Sequence, residues 1–259
     1  MNKKIAIIGC GNLGQSILSG LVQNQAFNNK NLTATKRKIN SLEDRFGKSG
    51  VRLMSNNVDA VKDSDIILLG LKPYTILNVL EELRPHINKN QQIVSLATGV
   101  NLEAIENVIG NDKAVFRAMP NTAADVNESV TCLCSNQAEE DEVKQIFNSI
   151  GTTISIDENL MEAATVLGAC GVAYVLRFMR AMIQGGIEIG FSAKVATEVV
   201  TQTVKGASEL LIQNGSHPES EIDKVTTPKG CTIAGLNEME HNGFSSALIK
   251  GILTSFEKI

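Results

Sequence analysis

Ile5-Ala6-Ile7-Ile8-Gly9-Cys10-Gly11-Asn12-Leu13-Gly14 is the stretch on which the reading of the chain turns. Four consecutive apolar residues, three of them β-branched, predict a buried strand over Ile5–Gly9. The apolar period then changes, and Leu13–Gln23 predicts a helix. The glycines between follow G-x-G-x-x-G. Gly9 permits the tight turn, Gly11 lets the backbone approach a pyrophosphate, and Gly14 allows close helix–strand packing. Free N–H groups at the helix start suit phosphate oxygens. With a strand before it and a helix after it, the pattern predicts a dinucleotide-binding turn held by Gly9, Gly11, Asn12, Leu13 and Gly14.

Outward from this turn, short β-branched runs alternate with helical patterns. Strands are predicted at Leu32–Thr35, Val51–Met54, Asp65–Leu71, Gln92–Leu96, Ala114–Ala118, Ser129–Cys134 and Thr152–Ser155. Helices lie between them at Ile39–Gly47, Val58–Lys62, Ile76–Arg84, Leu102–Val108 and Glu139–Ile150. Such alternation implies an α/β fold, a Rossmann-type doubly wound, mainly parallel sheet. From about Asp157 the chain reads as all-helical. Glu158–Ile189 forms a long apolar helix, Ser192 caps Ala193–Gln213, Thr232–Glu240 ends at Asn242-Gly243, and Ser245–Lys258 closes the sequence. The expected domains are 1–157 for the cofactor and 158–259 for substrate and dimerisation. Ala163–Leu176 is apolar on most faces and should be buried all round. About one hundred residues of helix are too few to bury it alone, so a partner chain is expected.

The end of the second strand bears on cofactor choice. An acidic residue there would accept from the ribose 2′-OH of NAD. This chain has Thr33-Ala34-Thr35-Lys36-Arg37-Lys38. Hydroxyls and cations suit a 2′-phosphate, which favours NADPH over NADH. Three further strand ends, at Gly70-Leu71-Lys72-Pro73, Ser95-Leu96-Ala97 and Met119-Pro120-Asn121, should meet at the edge where open α/β sheets bind ligands. Gly70, Lys72, Pro73, Ala97 and Asn121 are candidate cofactor residues. In the second half, Val225-Thr226-Thr227-Pro228-Lys229-Gly230-Cys231-Thr232 precedes a helix beginning near Thr232. A helix start of this kind suits a carboxylate, and a plain helix cap is the competing reading.

Composition narrows the function. The 259 residues carry 24 Lys and Arg against 28 Asp and Glu, a net charge of −4, with no Trp, two Tyr and eight Phe. That argues against a nucleic-acid surface or a base-stacking platform. The longest apolar run, Ala163–Leu176, is too short for a bilayer, and the N-terminal run breaks too early at Gly9 for a signal peptide. Five scattered cysteines give neither a disulfide framework nor a metal site. A cytoplasmic protein is expected.

Taken in order, G-C-G-N-L-G at Gly9–Gly14, L-K-P at Leu71–Pro73, R-A-M-P-N-T at Arg117–Thr122 and V-T-T-P-K-G-C-T-I-A-G-L at Val225–Leu236 resemble the pyrroline-5-carboxylate reductase family. The resemblance implies NAD(P)H-dependent reduction of 1-pyrroline-5-carboxylate to L-proline. It also implies an N-terminal Rossmann domain and a helical domain that interleaves with a second subunit, giving dimers or assemblies of dimers. Gly9, Asn12, Leu13, the second-strand end (Thr35, Lys36, Arg37), Asn57, Gly70, Lys72 and Pro73 match the family's cofactor positions. Thr232 matches the hydroxyl that bonds the ring nitrogen, and Gly230, Cys231 and Thr232 the loop that holds the carboxylate. Lys229 stands where the family usually has glycine and adds a candidate cation. The family's S-G-S-G-P-A-Y element is Gly168-Ala169-Cys170-Gly171-Val172-Ala173-Tyr174 here, and no R-S-x-E-L segment follows before Ile259. Two other readings remain: a reductase of another cyclic imine or small acid, and an inactive NADP-binding sensor.

Overall fold

The structure, a computed structural model, describes residues 1–136 and 139–259. Residues 1–170 form one compact unit and 171–258 another.

The first unit is built on eight strands: β1 (Ile5–Ile8), β2 (Leu32–Thr35), β3 (Arg52–Met54), β4 (Ile66–Leu69), β5 (Gln92–Ser95), β6 (Ala114–Met119), β7 (Ser129–Ser135) and β8 (Gly151–Ser155). Their order is β3-β2-β1-β4-β5-β6-β7-β8. Every neighbouring pair is parallel except β6 and β7, where Phe116 lies opposite Ser135. β1 and β4 are buried along their whole length because helices cover both faces. Alternation sorts their side chains. Ile5, Ile7, Ile66 and Leu68 join one core with Leu18 and Leu21 of α1 (Asn12–Gln23), Phe46 of α2 (Asn40–Phe46) and Phe147 of α6 (Asp141–Phe147). Ala6, Ile8, Ile67 and Leu69 join the other with Val61 of α3 (Asn57–Lys62), Leu80 of α4 (Pro73–Leu83) and Ile105 of α5 (Leu102–Ile109). From β1 the chain winds outward to β2 and β3, then returns to place β4 on the other side of β1. A crevice opens at that reversal, beyond the carboxyl ends of β1 and β4.

Arg117 of β6 is 2% exposed and pairs with Glu158 and Glu162, each at 3.0 Å. Glu158 also accepts from the Leu102 amide, at 2.7 Å. This buried cation fastens the start of the long helical run to the sheet. The run itself is less regular than its sequence predicts. A 3-10 turn (Glu158–Leu160) leads into α7 (Met161–Ala164), then a π-helical turn (Thr165–Cys170), before α8 (Gly171–Glu188).

The second unit comprises α8, α9 (Ala193–Asn214), α10 (Pro218–Lys224), α11 (Cys231–His241) and α12 (Phe244–Phe256). Ser192 caps α9 by accepting from the Val195 amide, and Gly215, at φ +61°, ends it. The Tyr174 hydroxyl donates to Ser255 Oγ at 2.7 Å, tying α8 to α12. Within this chain the apolar run Ala163–Leu176 is covered only in its first part, at Thr165 and Val166, and α8 has no buried residue, in line with the expectation that this chain's helices alone are too few to bury it. The expected exclusion by length fails, because Glu158–Glu188 is a 31-residue helical run with a window of mean hydropathy 1.6. Arg177 and Arg180 do not interrupt it, since arginine is a good helix former.

Candidate active site

The crevice holds a cavity of about 490 Å³. Gly11, Asn12, Leu13 and Gly14 line it from the first turn. Gly70, Lys72 and Pro73 line it from the end of β4, and Ala97 from the loop after β5. Eight of the residues singled out in the sequence therefore share one space. Gly11 caps α1 without any side-chain hydrogen bond, which leaves the first-turn amides facing the cavity. The floor is backbone. Gly9 has φ +77°, and a Cβ there would meet Leu71 Cδ2 at 2.5 Å. A Cβ on Gly70 would meet the Gly9 carbonyl at 2.9 Å. A Cβ on Gly11 would touch nothing closer than 3.9 Å and would instead project into open space. The residues present thus fit a dinucleotide: a bare cradle, free amides, and no acidic residue in the first turn.

Thr35, Lys36, Arg37 and Asn57 lie at the end of β2 and the start of α3, outside the cavity lining. The Thr35 carbonyl accepts from the Cys10 amide at 2.7 Å, so β2 and the glycine turn are joined directly. Thr33 and Thr35, whose hydroxyls the sequence matches to a 2′-phosphate, are buried. Lys36 Nζ reaches Ser41 Oγ at 2.7 Å, and Arg37 is exposed. Asn121 is buried and engaged in the fold: its Oδ1 accepts from the Ala123 amide and its Nδ2 donates to the Gly168 carbonyl at 3.1 Å, within the π turn. The cavity also holds residues the sequence did not mark, among them Ser16, Thr98 and Asp125. Ser16 lies one turn beyond Asn12 and was within reach of helical spacing. Asp125, to which the Ser16 hydroxyl donates, comes from a separate turn and leaves no local signal.

Burial pushes the Cys10 thiol up to about 12, against weaker pulls from Lys36 and Arg45. It stays protonated and packs against Gly14, so it is structural. Among the described residues no His, Cys, Asp or Glu group could hold a metal.

In the helical unit, the Thr227–Gly230 turn delivers the chain into α11. The helix starts at Cys231, beside the expected start near Thr232, and its N-cap is Gly230, so Thr232 is the second helical residue. A Cβ on Gly230 would meet Thr227 Oγ1 at 2.5 Å, which explains the glycine. Lys229 has φ +59°, in the left-handed region where glycine is at ease and lysine is strained. No side chain caps α11. Its first amides, the half-buried Thr232 hydroxyl, the exposed Cys231 thiol and the exposed Lys229 ammonium gather at one helix start. His217 caps α10, with its Nδ1 accepting from the Glu219 amide at 3.2 Å, and His241 ends α11.

A dinucleotide cradle at the switch point of a parallel sheet, followed in the same chain by an all-helical unit, defines a class of nicotinamide-dependent oxidoreductases. Known proteins narrow the class. Residues 158–259 match the pyrroline-5-carboxylate reductase dimerisation family, and residues 4–99 the coenzyme F420-dependent NADP oxidoreductase family. Pyrroline-5-carboxylate reductase 2 of Dictyostelium discoideum is 40% identical, over 99% of this chain and 92% of its own length. Pyrroline-5-carboxylate reductase 1 of the same organism is 42% identical over 98% of this chain, which spans about half of that longer relative, 49%. Solved structures of the Coxiella burnetii and Plasmodium falciparum reductases, the latter with NADP bound, superpose at TM-scores of 0.92 and 0.87. Both are 27% identical; the Coxiella match covers 100% of this chain and 97% of that one, the Plasmodium match 99% and 97%. The chain belongs to the pyrroline-5-carboxylate reductase family.

Proposed function

We propose that the chain reduces 1-pyrroline-5-carboxylate to L-proline, with NADPH preferred and NADH as the lesser donor. Residues 1–157 hold the cofactor and residues 158–259 hold the substrate and the partner subunit. The observation that carries the substrate assignment is the start of α11. Its uncapped amides suit a carboxylate, and the Thr232 hydroxyl, which has no hydrogen-bond partner among the described residues, is left for the ring nitrogen.

When bound, the dihydronicotinamide supplies a hydride to the imine carbon. The chain's own work is placement. The first-turn amides of α1, with Gly11 to Gly14, hold the pyrophosphate, and the end of β2 with Asn57 holds the adenosine side. Lys72, Pro73 and Ala97 shape the rest of the crevice. Gly230 and Cys231 contribute backbone amides to the carboxylate, and the Lys229 ammonium adds a cation there. Thr232 orients the ring nitrogen. An imine protonates readily in solution, so no general acid is required, and His217 and His241 are accordingly structural. The assay is NADPH oxidation with pyrroline-5-carboxylate as substrate. Turnover with proline as product supports the assignment. Turnover only on a larger cyclic imine moves the substrate, and NADPH binding without turnover on either leaves a sensor.

The broad apolar surface of the helical unit supports a homodimer, or an assembly of dimers, formed through these helices. Ile249, Leu253 and Phe256 recur at i, i+4 and i+7 on α12 and are 57%, 55% and 50% exposed. Leu176 on α8 is 58% exposed. A second copy covering these faces accounts for the apolar run 158–188 without a membrane. All five cysteines are free, which agrees with the reducing cytoplasm.

A further inference from the structure

We propose that Thr35 is a positioning residue. Its buried hydroxyl turns Asn57 so that the side-chain amide nitrogen, a double donor, faces the dinucleotide, and this selects a cofactor bearing a 2′-phosphate. The inference rests on the reading of the first unit as a dinucleotide-binding domain and deepens it. Thr35 closes β2 and is 0% exposed. Its Oγ1 accepts from the Gly9 amide at 3.1 Å and lies 2.6 Å from Asn57 Oδ1. A hydroxyl has one proton to give. With the Gly9 amide already donating to Oγ1, that proton needs an acceptor, and Asn57 Oδ1 is the one in reach among the described residues. Rotating the Asn57 amide by half a turn would aim a second N–H at the same oxygen and leave the Thr35 proton buried without a partner. The carbonyl oxygen of Asn57 therefore faces inward and its nitrogen outward.

Asn57 is free for this task because Asn56, one residue earlier, caps α3, accepting from the Val58 and Asp59 amides. In sheets of this winding the end of the second strand faces the adenosine ribose, where a carboxylate accepts from a free 2′-OH. Here the same place presents donors. An outward NH2, with Lys36 and Arg37 following Thr35 in the chain, matches phosphate oxygens and offers nothing to a hydroxyl proton.

The test is calorimetric binding of NADPH and of NADH to the full chain and to three variants. Thr35→Val should weaken NADPH by about ten-fold or more while shifting NADH far less. Thr35→Ser, which keeps the hydroxyl, should restore NADPH. Asn57→Asp, which replaces the donor by a carboxylate, should turn the preference toward NADH. Thr35→Val binding NADPH like the parent overturns the proposal, as does an equal loss of both cofactors that serine fails to rescue. Should Thr35→Val not fold, Asn57→Asp decides: an unchanged NADPH-to-NADH ratio overturns it. Failure of the underlying reading is distinct, since the parent chain itself would then bind neither cofactor.

Discussion

Ile5–Ile8 and Gly171–Glu188 are both apolar, yet β1 is at most 1% exposed at every residue and α8 has no buried residue at all. The first is covered on both faces by helices of its own chain. The second carries Val175, Leu176 and Phe178 at 47%, 58% and 38% exposure. Beyond residue 170 only Ala196 and Val200 count as buried hydrophobics. Apolar sequence therefore states that a surface must be covered without stating what covers it. In the first unit the cover is intramolecular. In the second it is missing from the single chain, and the match of residues 158–259 to a dimerisation family supports a partner subunit as the cover.

The contrast can be broken most forcefully at the helical end. Ile249→Glu places a charge in the exposed stripe of α12 and should abolish both assembly and turnover, while NADPH still binds to the first unit. Sedimentation and calorimetry together read this; an intact oligomer would show that the stripe is not the interface. Next is Thr232→Ala, expected to lower kcat/KM by about 100-fold with cofactor affinity unchanged. A loss of cofactor affinity instead would take Thr232 out of the substrate role. Arg117→Ala leaves Glu158 and Glu162 without their buried cation. With both carboxylates about a third exposed, the cost should be about 2 kcal/mol in urea unfolding.

Cys10 gives a pH-dependent check on the core of the first unit. Its folded thiol is raised by burial from 9.0 to about 12. The protonated form is thus favoured by folding, and its contribution is complete below pH 9 and lost as the pH climbs toward 12. Cys134, raised to about 11 chiefly by burial, adds in the same direction. Stability should fall on the order of 1 kcal/mol per pH unit in this window, and Cys10→Ala should flatten that limb. The smallest effect is expected at Lys229→Gly, which relieves a left-handed φ of +59° and should stabilise the loop by about 1 kcal/mol. If Lys229 binds the carboxylate, the same variant raises KM for the substrate.

The strand alternation and the glycine turn were legible because burial on both faces of β1 and β4 demands unbroken apolar runs, and because the turn demands glycine at fixed offsets. The α11 loop was legible by composition, and the helix starts at Cys231, one residue before the expected start near Thr232. Three features left no readable trace. The π turn at Thr165–Cys170 adds a residue to a helix without altering its composition. Asp125 reaches Ser16 across 109 residues. The inward turn of Thr35 depends on a Gly9 amide and an Asn57 side chain that only the folded sheet brings together.

The contact between Gly9 and Gly70 limits how this site can be altered. Neither position admits a side chain, because each faces the other's backbone or its neighbour, so replacing one cannot make room for the other. The floor of the crevice offers no variable by which selection or an engineer might retune it. A change of cofactor preference would have to be sought away from that floor, at the buried Thr35, at Asn57 and at Lys72, where the chain still has side chains to exchange.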